Sequence, residues 1–193
     1  CQKDKNLLLQ ELKQVKKEKA KLCKQVETLL ENRGNIINNF NTFNNTNNFV
    51  LNNYGNEDLS HITNKLLDRL ILAPTKMISE LTKMIHFNES KPENMNIYIP
   101  NKKEKYLKIY KNDQWILQEK KDAIPDIIDK NYFLLDNHYE NIEETIDNIT
   151  KKNYQILQSS YDNKDEKVMD QQFKDVELEI LNGSKNIINK NVI

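Results

Sequence analysis

The hydrophobic pattern of the chain begins with a heptad repeat. Between Lys3 and Arg33 the sequence has no Gly or Pro, and one set of positions recurs at alternating intervals of four and three residues. This period is typical of a coiled coil, because a helix that packs on a core has a wider apolar stripe. The pattern predicts a parallel coiled coil over residues 1–33, with a single amphipathic helix on the domain as the alternative. The seam is formed by Leu8, Leu12, Val15, Lys19, Leu22, Val26 and Leu29, with Lys5 and Arg33 at its ends.

Lys19 interrupts this seam with a charge. A buried lysine costs stability but can fix register and strand number, because mispaired registers would bury its ammonium group. The outer face is crowded with further lysines, which either form an ordinary solvated surface or contact phosphates. These are Lys13, Lys16, Lys17, Lys21 and Lys24.

The second stretch, residues 34–53, is predicted to be an Asn-rich stalk or linker. Gly34 is a typical residue to end the preceding helix. Between Asn35 and Asn56, eleven of 22 residues are Asn, a composition that is typical of disorder. Large apolar side chains nevertheless recur every three residues, which favours extended strands packed against copies of themselves. The positions expected in this oligomeric packing are Ile37, Phe40, Phe43 and Phe49.

Residues 54–160 are predicted to form a small α+β head domain. Asn56 is the expected N-cap of a helix that ends before Pro74, and a second helix is expected from about Thr75 to Ile85. Three antiparallel strands then follow, joined by turns, of which one lies at Asn112-Asp113. The expected strands are Met95 to Ile99, Tyr106 to Tyr110, and Trp115 to Gln118.

Helical periodicity returns after the strands. A long helix is expected after Asp122, with Pro125 in its first turn, and its pattern can continue through Leu157. Asp162-Asn163 breaks it, and a last helix is expected to end before Gly183. Residues 161–193 therefore read as a C-terminal helix and tail.

Composition excludes several classes of function. Lys plus Arg equals Asp plus Glu at 29 each, so no global field draws the protein to nucleic acid or to a membrane. The apolar runs are too short to span a bilayer and no signal peptide is recognised, which predicts an intracellular protein. Two cysteines, Cys1 and Cys23, are too few for a disulfide framework. The chain has three glycines, too few for a loop that cradles a nucleotide, and it has no metalloprotease or nucleophile-elbow motif. No cofactor is therefore expected.

The transition from helical to strand periodicity contains the candidate site. Ile85-His86-Phe87-Asn88 is followed by a proline and further asparagines. Two interpretations of these residues are possible. The first is a nuclease of the His-Asn-His type, which also needs a metal ligand from a following helix. The second is a structural junction, in which amide side chains hydrogen-bond to the backbone of a tight connection. The junction residues are His86, Asn88, Pro92, Asn94 and Asn96.

The strands carry a second candidate surface. Tyr98, Tyr106, Tyr110 and Trp115 alternate with lysines, as in a sheet on which nucleic-acid bases stack. The interpretation favoured by the small size of the domain is different: the aromatic rings pack the sheet on the helices while lysines point outward. The lysines concerned are Lys102, Lys103, Lys105 and Lys108.

Three strings in the chain are distinctive in combination: Asn53-Tyr54-Gly55-Asn56-Glu57-Asp58-Leu59-Ser60-His61-Ile62, Ile85-His86-Phe87-Asn88 and Pro92-Glu93-Asn94-Met95-Asn96-Ile97. Together they resemble a protein family of mimivirus-like giant DNA viruses. The resemblance covers roughly Cys1 to Tyr139. In that family a zinc finger is often followed by a coiled coil, an Asn-rich stretch and this domain. The resemblance implies that Cys1 is the final ligand of an upstream zinc finger, and that nucleic acid is a partner of the longer protein. Met95 stands where relatives often have a second His, which argues against a catalytic histidine.

The sequence thus predicts a non-enzymatic, oligomerising scaffold module of a viral protein. Its expected partners are itself, as a homodimer or homotrimer, and a protein of unknown identity, with no membrane partner. Its expected location is the host cytoplasm, the viral factory or the virion. The alternative is a nucleic-acid-processing enzyme centred on His86, and direct nucleic-acid binding by Lys13 to Lys24 and the aromatic strands is a third possibility.

Overall fold

The computed structural model describes residues 50–189, with side chains as far as residue 185. This part of the chain is a mixed α+β structure with five α-helices and a three-stranded antiparallel sheet. The predicted coiled coil, most of the predicted stalk and the oligomerisation residues Leu8 to Phe49 lie outside the described residues. The helices are α1 (Asn64–Ile71), α2 (Pro74–His86), α3 (Lys120–Ile142), α4 (Asn148–Asp162) and α5 (Glu166–Asn189).

Helix α1 begins later than the sequence predicts. Its N-cap is Thr63, whose hydroxyl accepts a hydrogen bond from the backbone N–H of Leu66. The prediction of Asn56 as N-cap is wrong, because the two acidic residues that follow it, Glu57 and Asp58, bind asparagines of the junction instead of a helix N-terminus. Helix α2 agrees with the prediction, and Pro74 occupies its first turn.

The three strands lie where the alternating pattern predicts them. Strands β1 (Ile97–Tyr98), β2 (Tyr106–Lys111) and β3 (Gln114–Glu119) follow each other in space as in sequence. The β2–β3 connection is a two-residue loop, Asn112-Asp113, in which both residues have positive φ. Asn and Asp are tolerated there because such tight hairpin turns require left-handed backbone. The predicted turn is confirmed.

Helices α3 and α4 form an antiparallel pair. The chain leaves helical structure after Ile142, and Asp147 caps α4 by accepting hydrogen bonds from the N–H groups of Ile149 and Thr150. The continuous pattern through Leu157 thus belongs to two helices. Two stacked tyrosine pairs lie between them, Tyr132 with Tyr161 and Tyr139 with Tyr154, each with ring centroids 3.8 Å apart.

Helix α5 continues through Gly183 to Asn189, so the predicted end before Gly183 is wrong. Gly183 is buried against Phe87, which follows α2, and a Cβ atom at position 183 would lie 2.2 Å from Cγ of Phe87. Glycine here permits close packing of the last helix on the junction and does not end the helix. Next to it, the hydroxyl of Ser184 accepts a hydrogen bond from the N–H of Ile99.

One core is shared by the helices and the inner face of the sheet. Its fully buried members come from all five helices and from β1 and β2, among them Ile71, Met77, Ile97, Leu107, Ile124, Tyr154 and Ile180. Residues 50–53, which the sequence assigns to the stalk, run along this body, and Leu51 packs against the core. No helix in the described part of the chain has both the length and the apolar character needed to cross a membrane.

Candidate functional site

The candidate site is a buried polar cluster where α2 ends and the sheet begins. Pro92–Asn94 form one turn of 3-10 helix between α2 and β1. His86, Asn94 and Asn96 are 3%, 0% and 0% exposed. Buried polar side chains are costly unless they are hydrogen-bonded. Their partners therefore decide what the site can do.

Asn94 holds the segment that precedes α1. Its Oδ1 accepts hydrogen bonds from the Asp58 backbone N–H (2.9 Å) and from Asn52 Nδ2 (2.9 Å), and its Nδ2 donates to the Asp58 carbonyl (2.8 Å). One amide side chain thus takes both backbone groups of a residue far away in sequence. The sequence predicts that the junction asparagines hydrogen-bond to backbone groups. Asn94 does so, and the backbone groups that it binds lie in residues 52–58.

Asn96 links His86 to the same segment. Its Nδ2 donates to the Asn52 carbonyl (3.1 Å) and to Glu57 Oε1 (2.9 Å), and both of these groups can only accept. The orientation of the amide is thereby fixed, so its Oδ1, 2.8 Å from His86 Nδ1, must accept a hydrogen bond from that nitrogen. Neutral His86 therefore carries its proton on Nδ1.

The electrostatics keep His86 neutral. Burial lowers the pKa of its imidazole below the ordinary value, and this effect outweighs the opposing influence of Glu57 and of the hydrogen bonds to Asn96 and Asn94. Lys130 also lowers it. Desolvation dominates because a charged imidazolium loses its hydration in a buried site.

Acidification is expected to expose this penalty. Because the native pKa of His86 lies below that of the unfolded chain, the unfolded state binds more protons as the pH falls below about 6.5. The free energy of unfolding is therefore not reduced by His86 above that pH. Below it, protonation of His86 in the unfolded chain reduces this free energy by at most about 1.4 kcal/mol per pH unit. Urea unfolding at about pH 7.5 and about pH 5.5 would measure the slope, in the wild type and in His86→Gln, which keeps a donor for Asn96.

The variant is expected to show the smaller decrease. Asp58, in the same junction, stays ionised throughout this window, because its hydrogen bond from Lys91 lowers its pKa to about 2. Equal slopes in the two proteins would contradict the assignment of a depressed pKa to His86.

Asn88 and Pro92 shape the connection itself. The Asn88 Oδ1 accepts hydrogen bonds from the N–H (3.0 Å) and the hydroxyl (2.8 Å) of Ser90, which is a local turn. Pro92 begins the 3-10 turn, where its fixed φ suits the first position. Just before it, Lys91 forms an ion pair with Asp58, which adds a further link to the segment before α1.

A small cavity lies beside His86. Its volume is about 120 Å³, well below the several hundred Å³ of sites that enclose a nucleotide-sized ligand. The Tyr54 ring is stacked on His86 at a centroid distance of 6.0 Å, and Lys130 Nζ lies 4.1 Å from the Tyr54 ring centroid. The cavity is lined by Tyr54, Glu57, Leu59, Ile85, His86, Ile127, Lys130, Asn131 and Leu134.

The three histidines have separate partners. His61 Nε2 donates to the Met84 carbonyl (2.8 Å), and His138 Nε2 lies 2.7 Å from an Asp68 carboxylate oxygen. Within residues 50–185, no group of three or more His, Cys, Asp or Glu side chains is placed to hold a metal ion. In this described part, the structure does not bring together the full set of residues that the nuclease hypothesis needs.

Sequence reasoning missed the other half of the junction. Asn52, Glu57 and Asp58 are its partners, and the sequence assigns them to a linker and to a helix start. The available signal is weak: residues 52–58 are polar without helical spacing, and Gly55 has φ of +91°, which favours glycine. The contacts that give this segment its role span about forty residues of sequence.

The aromatic residues of the sheet lie on the face opposite to Leu107 and Ile109, but Tyr98 on this face is only 5% exposed. Leu107 and Ile109 are buried, whereas Tyr106 on the other face is 42% exposed. Tyr98 pairs with Lys108, and Tyr110 pairs with Trp115, which places all four side chains on this second face. The expected packing of the aromatic rings is found for Tyr98, a buried member of the core, and in part for Trp115, which packs against the core, but not for Tyr106.

Comparisons of the chain with models of protein families, with curated proteins and with solved structures gave no match. Its function is therefore inferred from its own residues and their geometry.

Proposed function

We propose that this protein is a non-enzymatic, oligomerising interaction module. Residues 1–33 form a parallel coiled coil of two or three copies, and residues 34–49 form the stalk. The α+β domain, against which Leu51 packs, is the head that meets a partner. Joining several heads makes each later contact intramolecular and so raises avidity.

The observation that supports a binding role over catalysis is the use of the junction's polar groups. Hydrogen bonds within the domain engage His86 Nδ1 and the side-chain amide oxygen and nitrogen of both Asn94 and Asn96. These bonds attach residues 52–58 to the end of α2 and to the 3-10 turn. Because these side chains are hydrogen-bonded to residues 52–58, they attach the chain rigidly where it enters the head.

The resemblance to the giant-virus family gives this module its setting. We place it inside the infected cell, in the host cytoplasm, the viral factory or the virion. A zinc finger upstream of the coiled coil would bring nucleic acid to the assembly, with Cys1 as its last ligand.

The oligomeric state tests the proposal. Light scattering on the full chain is expected to give the mass of two or three copies. Replacing two seam residues, Val15→Glu together with Leu22→Glu, is expected to give a monomer, because charges at adjacent d positions would be buried in every copy.

A matched control changes two lysines on the outer face of the same heptads, Lys17→Glu with Lys24→Glu, and should leave the mass unchanged. A monomeric wild type would overturn the assembly. Metal-dependent cleavage of nucleic acid that is lost in His86→Ala would instead favour the enzyme.

A further inference from the structure

The outer face of the sheet combines exposed aromatic and apolar side chains. Tyr106 is 42% exposed and Leu117 is 65% exposed, while Tyr110 and Trp115 are partly exposed. Strands β2 and β3 pair over six residues each, from Tyr106 opposite Glu119 to Lys111 opposite Gln114. At about 3.3 Å per residue this gives a platform roughly 20 Å long.

Trp115 is held in place on this platform. Its ring makes edge-to-face contacts with Tyr98 and Tyr110, at centroid distances of 5.0 Å and 5.4 Å. Lys108 lies between these aromatic residues, with Nζ 5.4 Å from the Tyr98 ring centroid. A ring fixed by its neighbours loses little conformational entropy when a ligand stacks on it.

Lysines outnumber acids around the platform. In the described part of the chain, the lysines of β2 and of the loop before it make no ion pair with a carboxylate. The neighbouring Lys120 and Lys121, by contrast, pair with Glu177 and Glu119. Of the nearby acids, Glu119 is paired with Lys121. The Asp113 carboxylate accepts a hydrogen bond only from the neutral amide of Asn53, so Glu104 and Asp113 are the local counter-charges. The unpaired lysines are Lys102, Lys103, Lys105, Lys108 and Lys111.

We infer that the outer face of the sheet binds single-stranded nucleic acid. Two or three unpaired bases stack on Tyr106, Tyr110 and Trp115, and the ammonium groups of Lys108 and the loop lysines contact the phosphates. Exposed aromatic residues on a small antiparallel sheet, surrounded by lysines, are the arrangement that stacking recognition of single strands uses.

A protein partner fits this face less well. Lys108 lies in the middle of the platform, whereas the centre of a protein interface is depleted of charge. A single strand satisfies both features, because its bases offer flat apolar faces and its backbone offers a negative charge at every nucleotide. The inference deepens the proposed interaction role of the head by naming its partner, and it does not depend on oligomerisation.

The chain carries its own reporter, since Trp115 is its one tryptophan. Titration of the full chain at low salt with oligothymidylate and with oligouridylate is expected to quench the fluorescence of Trp115, because a stacked base contacts its ring. Tyr106→Ala is expected to weaken binding about fivefold or more, the loss of one stacked base, while Tyr106→Phe retains affinity. Lys108→Ala is expected to reduce the slope of log affinity against log salt by about 0.7.

Two control variants keep the test specific. Phe133→Ala removes an aromatic ring of α3 that is more exposed than Tyr106, and Lys174→Ala removes an exposed lysine from α5. Neither should change affinity. Absence of binding at low salt would overturn the inference. So would binding without quenching that Tyr106→Ala does not weaken, which would assign the contact to lysines elsewhere. Either result leaves the oligomeric state untouched, so the two proposals fail separately.

Discussion

Replacing Gly183 by Ala is expected to destabilise the protein by about 3 kcal/mol, the upper end of what overpacking costs. In an ordinary helix interior the same change stabilises by about 1 kcal/mol, because alanine is the better helix former. The sign reverses here because the new methyl group would lie 2.2 Å from Cγ of Phe87, a buried ring that cannot move aside into solvent. Urea unfolding followed by Trp115 fluorescence measures the change.

A double-mutant cycle identifies the cause. Phe87→Ala alone is expected to cost about 3 kcal/mol or more, as for other buried aromatic residues. Combined with Gly183→Ala, the total should fall short of the sum by at least about 1 kcal/mol, because the methyl group occupies space left by the ring. Asn182→Ala, at the exposed neighbouring position, should change stability little. A Gly183→Ala protein as stable as the wild type would contradict the packing seen at this helix.

Replacing Asn94 by Leu, a side chain of similar size, is expected to destabilise the protein by about 3 kcal/mol. Three hydrogen bonds disappear, and the backbone N–H and carbonyl of Asp58 lose their partners inside the domain. The loss should appear first as local opening of residues 52–58. Hydrogen exchange at the backbone N–H groups of Asn52 and Tyr54, which bond to Glu93 and Tyr110, would detect it.

Asn88→Leu is the matched control within the same junction. Its amide serves only the local turn at Ser90, which is exposed, so a cost below about 1 kcal/mol is expected. Equal effects of the two substitutions would mean that the link from Asn94 to Asp58 does not stabilise the domain.

The Asn94→Leu substitution also tests how the chain is attached where it enters the head. Residues 52–58 are attached at one end of the sheet by backbone bonds from Asn52 and Tyr54 and by the amides of Asn94 and Asn96. A chain entering the head at this point is fixed to β2 as well as to the junction. Under the proposed function, Asn94→Leu would loosen the attachment of the stalk while leaving the core of the head intact.

Local patterns were sufficient to predict much of the head. The second helix, the three strands and the Asn112-Asp113 turn follow from periodicity and from turn residues, which act over a few positions. The alternation along β2 correctly separates Leu107 and Ile109 from Tyr106, Lys108 and Tyr110. These features depend on the backbone geometry of the residues themselves, so the sequence alone specifies them.

The tertiary structure decided what each pattern is used for. A period of two divides a strand into two faces but does not say which face is covered. The helices cover the aliphatic face of β2, which leaves Tyr106 exposed and Tyr110 and Trp115 partly exposed. Gly183 resembles a helix end until Phe87 is placed against it. Glu57 and Asp58 resemble a helix start until Asn94 and Asn96 bind them. In each case the deciding partner lies far away along the chain, and only folding brings it within contact distance.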